Sequence, residues 1–147
     1  MAITKHQNQA SEAISIGEDG TIAQFTMGEV SRINVVDSQT YVFTRPHQKG
    51  LFQYSVGEKQ SSLLIANYPK TFYMFWEITN NKLFYIHGEK TNQLWVYNFE
   101  THSHQKILEP VDIAVGGVMS VSPDETRIVL SEQGSNQGNI FVTELDR

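Results

Sequence analysis

Ser120 to Arg147 reads SVSPDETRIVLSEQGSNQGNIFVTELDR. Pro123 and Asp124 mark a turn. Arg127–Ser131 and Asn139–Glu144 carry the β-branched and aromatic residues that favour strands. Between them GSNQGN, residues 134–139, reads as a polar hairpin loop. The stretch is therefore turn, strand, loop, strand, with no helical spacing of its apolar residues.

The same grammar holds upstream. Short strand-like runs alternate with Gly, Asn, Asp and Pro clusters, which predicts an all-β domain. The expected strands are Ala13–Ile16, Thr21–Thr26, Ser31–Val36, Thr40–Thr44, Leu51–Val56, Ser62–Ile65, Thr71–Ile78, Lys82–His87, Gln93–Phe99, Gln105–Leu108 and Gly117–Val121, besides the two above. In QLWVYNF, Leu94, Val96 and Asn98 share one face, and Trp95, Tyr97 and Phe99 the other. Residues 1–12 are polar and read as a flexible lead-in to a single all-β repeat domain over 13–147.

Three segments align as repeats: VDSQTYVFTRPHQKGLFQYSVGEKQ, ITNNKLFYIHGEKTNQLWVYNFETH and VSPDETRIVLSEQGSNQGNIFVTELDR. Tyr41 aligns with Leu83 (83 − 41 = 42) and Leu51 with Leu94 (94 − 51 = 43). Leu94 aligns with Ile140 (140 − 94 = 46), the extra residues falling in the last loop. A period in the forties with about four strands per unit is the size of a β-propeller blade. The fold class expected is thus an all-β, β-propeller-like array of about three four-stranded antiparallel blades. The blade-like units cover about 31–66, 71–109 and 117–147.

These repeats resemble the TolB-type propeller repeat. Ser122, Pro123 and Asp124 match its SPDG turn, while Glu125 replaces the Gly. The turn is therefore expected as type I, without a positive φ at Glu125. NQLWVYNFETHSHQKIL is similar to the LWxxDxxTGxxxxL hairpin of that repeat, with His102 in place of Gly. GLFQYSVGEKQSSLLI is similar to LWRxPxxGGExxxLL. The likeness covers 31–147. The order of the pieces also resembles the C-terminal sensor region of CadC/ToxR-like winged-helix transcriptional regulators of Gram-negative bacteria. That resemblance implies a periplasmic location for a segment anchored to the membrane elsewhere.

The last unit offers only three strands, which leaves an unpaired sheet edge. Thr21–Thr26 or Ala13–Ile16, within 13–27, are the candidate closing strands. Three blades fall short of the roughly four that propellers need. Three ways out remain open: a piece of a larger propeller, completion by another copy, or another packing of the repeats. Self-association, or a protein partner, is expected through sheet edges.

Composition narrows the chemistry. The 147 residues are 39% hydrophobic and 18% charged, enough for a packed core. Sixteen acidic against eleven basic side chains give a net charge of −5, which argues against direct nucleic-acid contact. No cysteine is present, which rules out disulfides, Cys-ligated zinc and thiol catalysis. The longest apolar run, Phe72 to Trp76, is too short to span a bilayer, so no membrane insertion is expected of this segment.

No catalytic residue is assigned. A G-x-S-x-G elbow is missing, and VGGVMS (115–120) lacks its second flanking Gly. GSNQGN precedes a strand rather than a helix, so it does not form a phosphate cradle. His102 and His104 form H-x-H, but at a hairpin turn and short of the four ligands of structural zinc. No metal site and no cofactor is expected. TFYMFWEI (71–78) allows two readings. It is an inner blade strand covered on both faces, or Tyr73, Phe75 and Trp76 line a surface for a small-molecule ligand or a partner. The function expected is a non-enzymatic sensor or interaction module. The alternatives are an accessory propeller segment of a hydrolase or other envelope protein, and a free-standing interaction domain.

Overall fold

A computed structural model describes residues 2–7, 10–16, 22–26, 29–69, 75–88, 91–109, 118–133 and 138–145. Fourteen strands and no helix occur among them. The chain divides into two compact units, Met1–Lys70 and Thr71–Arg147.

The first unit holds two antiparallel meanders. Strands β1 (Ala2–Gln7), β2 (Ala10–Ile16) and β3 (Ile22–Thr26) form a three-stranded sheet in that order. Within the stretch expected as a lead-in, residues 2–7 and 10–12 lie in strands. Their polar side chains hide the strand from a pattern reading, but the ladder is made by backbone groups, pairing Ala2 with Ser15 through Gln7 with Ala10. Of the stretch expected to supply closing strands, residues 13–16 and 22–26 belong to this same sheet.

Strands β4 (Arg32–Val35), β5 (Thr40–Arg45), β6 (Gln48–Ser55) and β7 (Gln60–Ile65) follow as a four-stranded sheet. Val30, Tyr41, Phe43, Phe52 and Tyr54 cluster in its core. Arg45 lies over the Phe52 ring at 4.7 Å and donates to Gln48 Oε1 at 3.1 Å, capping that cluster.

The second unit repeats the plan. Strands β8 (Trp76–Thr79), β9 (Lys82–His87), β10 (Gln93–Asn98) and β11 (Ser103–Leu108) form a four-stranded sheet. Strands β12 (Met119–Val121), β13 (Arg127–Gln133) and β14 (Gly138–Glu144) form a three-stranded one. A fourth, borrowed strand is not part of that sheet among the described residues.

Burial follows strand rank. The second strands β5 and β9 are buried through four successive residues, hence on both faces. The fourth strands β7 and β11 are mostly exposed. Between the two sheets of the second unit, Phe75, Phe84, Ile86 and Leu94 pack with Met119, Val121, Ile128 and Leu130 into one core.

The turns explain several sequence features. Asn80 and Asn81 join β8 to β9 with φ of 43° and 61°, the two-residue hairpin geometry that Asn tolerates. At the SPDE turn the Glu125 amide donates to the Ser122 carbonyl at 2.8 Å. Asp124 keeps a negative φ, consistent with type I, yet Glu125 takes φ 55°. The expectation that Glu125 avoids the left-handed region is corrected. The chain must reverse into β13 directly after the turn, and the residue following it absorbs that change. His102, the other residue in a usual Gly place, likewise has φ 52°.

A left-handed non-Gly residue is strained by about 1 kcal/mol, and Gly is not. Glu125→Gly is therefore expected to be about 1 kcal/mol more stable than Glu125→Ala. Both variants lose the same carboxylate, so the difference isolates the backbone. Urea unfolding of the two variants measures it, and an Ala variant at least as stable as the Gly variant contradicts this geometry.

Candidate functional site

Three features of the second unit stand out from its framework. The first is a cleft of about 330 Å³ between its two sheets. Phe84, Val96, Ile107 and Leu145 supply apolar walls, and Asn98, Ser103 and Gln105 line it with polar groups. Alternation along β10 and β11 puts these side chains on one face, opposite Trp95 and Tyr97. Lys82 and Glu125, which pair with each other, also line the cleft. Beside that pair, Asn80 Nδ2 donates to the Pro123 carbonyl at 2.8 Å. The turn after β8 and the turn after β12 are thus clipped together.

The SPDE turn that carries this clip is held by one carboxylate. Asp124 Oδ1 accepts from the Ser122 hydroxyl at 2.6 Å, the Thr126 hydroxyl at 2.8 Å and the Thr126 amide at 3.1 Å. The Ser122 hydroxyl in turn accepts the Arg127 amide at 2.9 Å. The Ser122 and Thr126 hydrogen bonds, with a smaller contribution from Arg127, hold the Asp124 carboxyl down at about 2.

The second feature is a cluster of tyrosines and histidines. Tyr85 Oη lies 3.0 Å from His104 Nδ1, and Tyr97 Oη 3.0 Å from His102 Nδ1. The Tyr97 and His104 rings lie with centroids 4.7 Å apart, tilted by 43°. Burial pushes Tyr85 up to about 12 and raises Tyr97 as well. Both phenols therefore stay protonated near neutral pH and serve as hydrogen-bonding groups rather than bases. His102 and His104 hydrogen-bond to different tyrosines. Among the described residues, no group of three or more metal-ligating side chains is placed to hold an ion.

The third feature is the outer face of the sheet β12–β14. The register pairs Val129 with Val142 and Ser131 with Ile140, so all four lie on one face with Arg127 and Glu144. Ile140 is 74% exposed and Val142 60%. Val118 and Val129 are exposed beside them. The opposite face of the sheet, with Ile128 and Leu130, is buried in the core.

The residues singled out from TFYMFWEI divide. Phe75 and Trp76 are both fully buried, Phe75 within the core between the two sheets of its unit. Tyr73 lies outside the described residues. Sequence reasoning passed over Ile140, Val142 and Val129. The signal was present: RIVLS and NIFVT are apolar at odd and even positions alike, the mark of strands meant to be covered twice.

No family model matches this chain, and no curated protein matches it. Solved structures do. TolB from Acinetobacter baumannii superposes with a TM-score of 0.68 at 13% identity, over 98% of this chain and 37% of that one. A puromycin hydrolase mutant complexed with PGG superposes with a TM-score of 0.61 at 13% identity, over 97% of this chain and 25% of that one. The fold is a TolB-like β-propeller fold, and this chain spans well under half the length of either protein.

The depressed value of Asp124 carries a pH signature. A carboxyl lower in the folded than in the unfolded chain stabilises fully above its unfolded value of 3.8. That contribution is lost as the pH falls from 3.8 towards about 2. Asp124→Asn is expected to lower Tm at neutral pH and to flatten the Tm profile across that acid window. Parallel profiles for the two proteins, measured by circular dichroism, contradict this role.

Proposed function

We propose that this chain is a non-catalytic β-propeller interaction module that works through the outer face of its sheet β12–β14. The observation that carries the reading is the exposure of Ile140 and Val142 on a sheet whose other face is core. A contiguous apolar face of this kind marks a protein contact in soluble proteins. A blade-type sheet is built to be covered on both sides.

The finer reading is a sensor. Its support is the resemblance of the repeat order to the C-terminal region of CadC/ToxR-like regulators. In that role the module sits outside the cytoplasm, and occupation of its contact face shifts an assembly equilibrium felt by a distant DNA-binding domain. The cleft lined by Phe84, Val96 and Gln105 offers this sensor a place for a small ligand. A second reading is an accessory propeller segment that positions substrate for a hydrolase, favoured by the likeness to the puromycin hydrolase. The two separate on what is joined to the module: a winged helix and a membrane anchor, or a catalytic domain.

A photo-crosslinking amino acid at position 142 is expected to trap a protein adduct in the producing cell. The same group at Lys49, an exposed residue of the other unit, is the control and should trap none. Equal yields at both positions, or no adduct at 142, contradict the interaction-module reading.

A further inference from the structure

We propose that the occupant of the outer face of β12–β14 is the same face of a second copy of this chain, related by a two-fold axis that runs parallel to the strands between β13 and β14. The inference rests on the interaction-module reading and names its partner.

Equivalent positions in the repeats show that the face is made for another sheet. Leu51 in β6, Leu94 in β10 and Ile140 in β14 occupy the same place in successive units. The first two are 0% exposed and the third 74%. Leu94 and Val96 lie on the face of their sheet that packs on Met119, Val121, Ile128 and Leu130 of the next. Ile140 and Val142 sit where Leu94 and Val96 sit, with no next sheet over them among the described residues. What fits is therefore a β-sheet with an apolar centre.

Charge selects which sheet and which orientation. Arg127 and Glu144 pair across β13 and β14 at one end of the patch, on the same face as Val129 and Val142, and both are exposed. A two-fold axis along the strands exchanges β13 with β14 and keeps each residue's height. It sets Arg127 over Glu144 of the second copy and Glu144 over Arg127 of the second copy. The same operation sets Val129 over Val142 of the second copy, twice. A two-fold axis across the strands instead carries Arg127 over Ser131 and Glu144 over Ile140, which leaves neither charge opposite its counter-charge and sets Glu144 against an apolar side chain. The lengthwise axis alone satisfies both the apolar centre and the charges. It also suits sheets that stack with aligned strands, and it makes an isologous, closed contact that stops at two copies.

Analytical ultracentrifugation of the whole chain from about 1 to 200 µM reads the association directly, in the range expected of a small interface. A monomer–dimer equilibrium that does not grow further is expected. Val142→Lys should weaken it about tenfold or more. Arg127→Glu and Glu144→Arg should each weaken it by about tenfold, and the double variant should return to within about threefold of the parent. Unchanged far-ultraviolet circular dichroism shows that each variant, altered at an exposed site, still folds. A monomer throughout, growth beyond two copies, or a double variant no better than the singles overturns the proposal. If the chain is monomeric while position 142 crosslinks to a different protein, the second-copy proposal fails and the interaction-module reading stands. If it is monomeric with no adduct, both fail.

Discussion

A sheet whose strands are apolar on both faces has to be covered twice, and this requirement organises the sheets around β5 and β9. Burial through four consecutive residues of β5 and again of β9 is its signature, because a half-solvated sheet alternates. Burying an apolar side chain of Leu or Phe size contributes about 1.5–3 kcal/mol relative to exposure. The eight residues of the core between β8–β11 and β12–β14 therefore dominate the stability of that unit. The ion pair of Lys82 with Glu125, partly exposed, adds little beside them. At Val129, Ile140 and Val142 that cover is missing among the described residues.

Polar groups set geometry where the core supplies adhesion. Asn80, bonded to the Pro123 carbonyl, and the Lys82–Glu125 pair fix two turns against each other and so fix one end of the cleft. Asp124 organises its turn by collecting three donors on one oxygen, and the left-handed Glu125 then delivers its carboxylate to Lys82. Strain at Glu125 and the ion pair are two sides of one arrangement: a Gly there is relaxed but cannot reach Lys82. The Tyr85–His104 and Tyr97–His102 pairs occupy the other face of the same sheet, where burial keeps the phenols protonated.

The parts of this architecture that were legible in the sequence are those written in side-chain pattern. Strands β5, β6, β9, β10, β13 and β14 announce themselves through β-branched and aromatic runs, and the 42- and 43-residue spacings put Tyr41 with Leu83 and Leu51 with Leu94. Strand β1 was illegible because AITKHQ has no apolar face to detect, and backbone pairing with β2 makes it. The φ of Glu125 was illegible because the residue itself disfavours it, and only the closing of the hairpin requires it. At the candidate site, apolar residues on both faces of β13 and β14 were visible. Which face lacks a cover is a tertiary fact that no local pattern contains. The aromatic run at 71–78 drew attention by composition, yet Phe75 and Trp76 are interior.

The central claim is that the outer face of β12–β14 meets its own copy. Isotope-filtered NMR on a mixture of methyl-labelled and unlabelled chains tests it most directly. Intermolecular contacts between Val142 methyls of one copy and Val129 methyls of the other are expected. Intermolecular contacts confined to other surfaces, or none at a concentration well above the dimer's Kd, would contradict it.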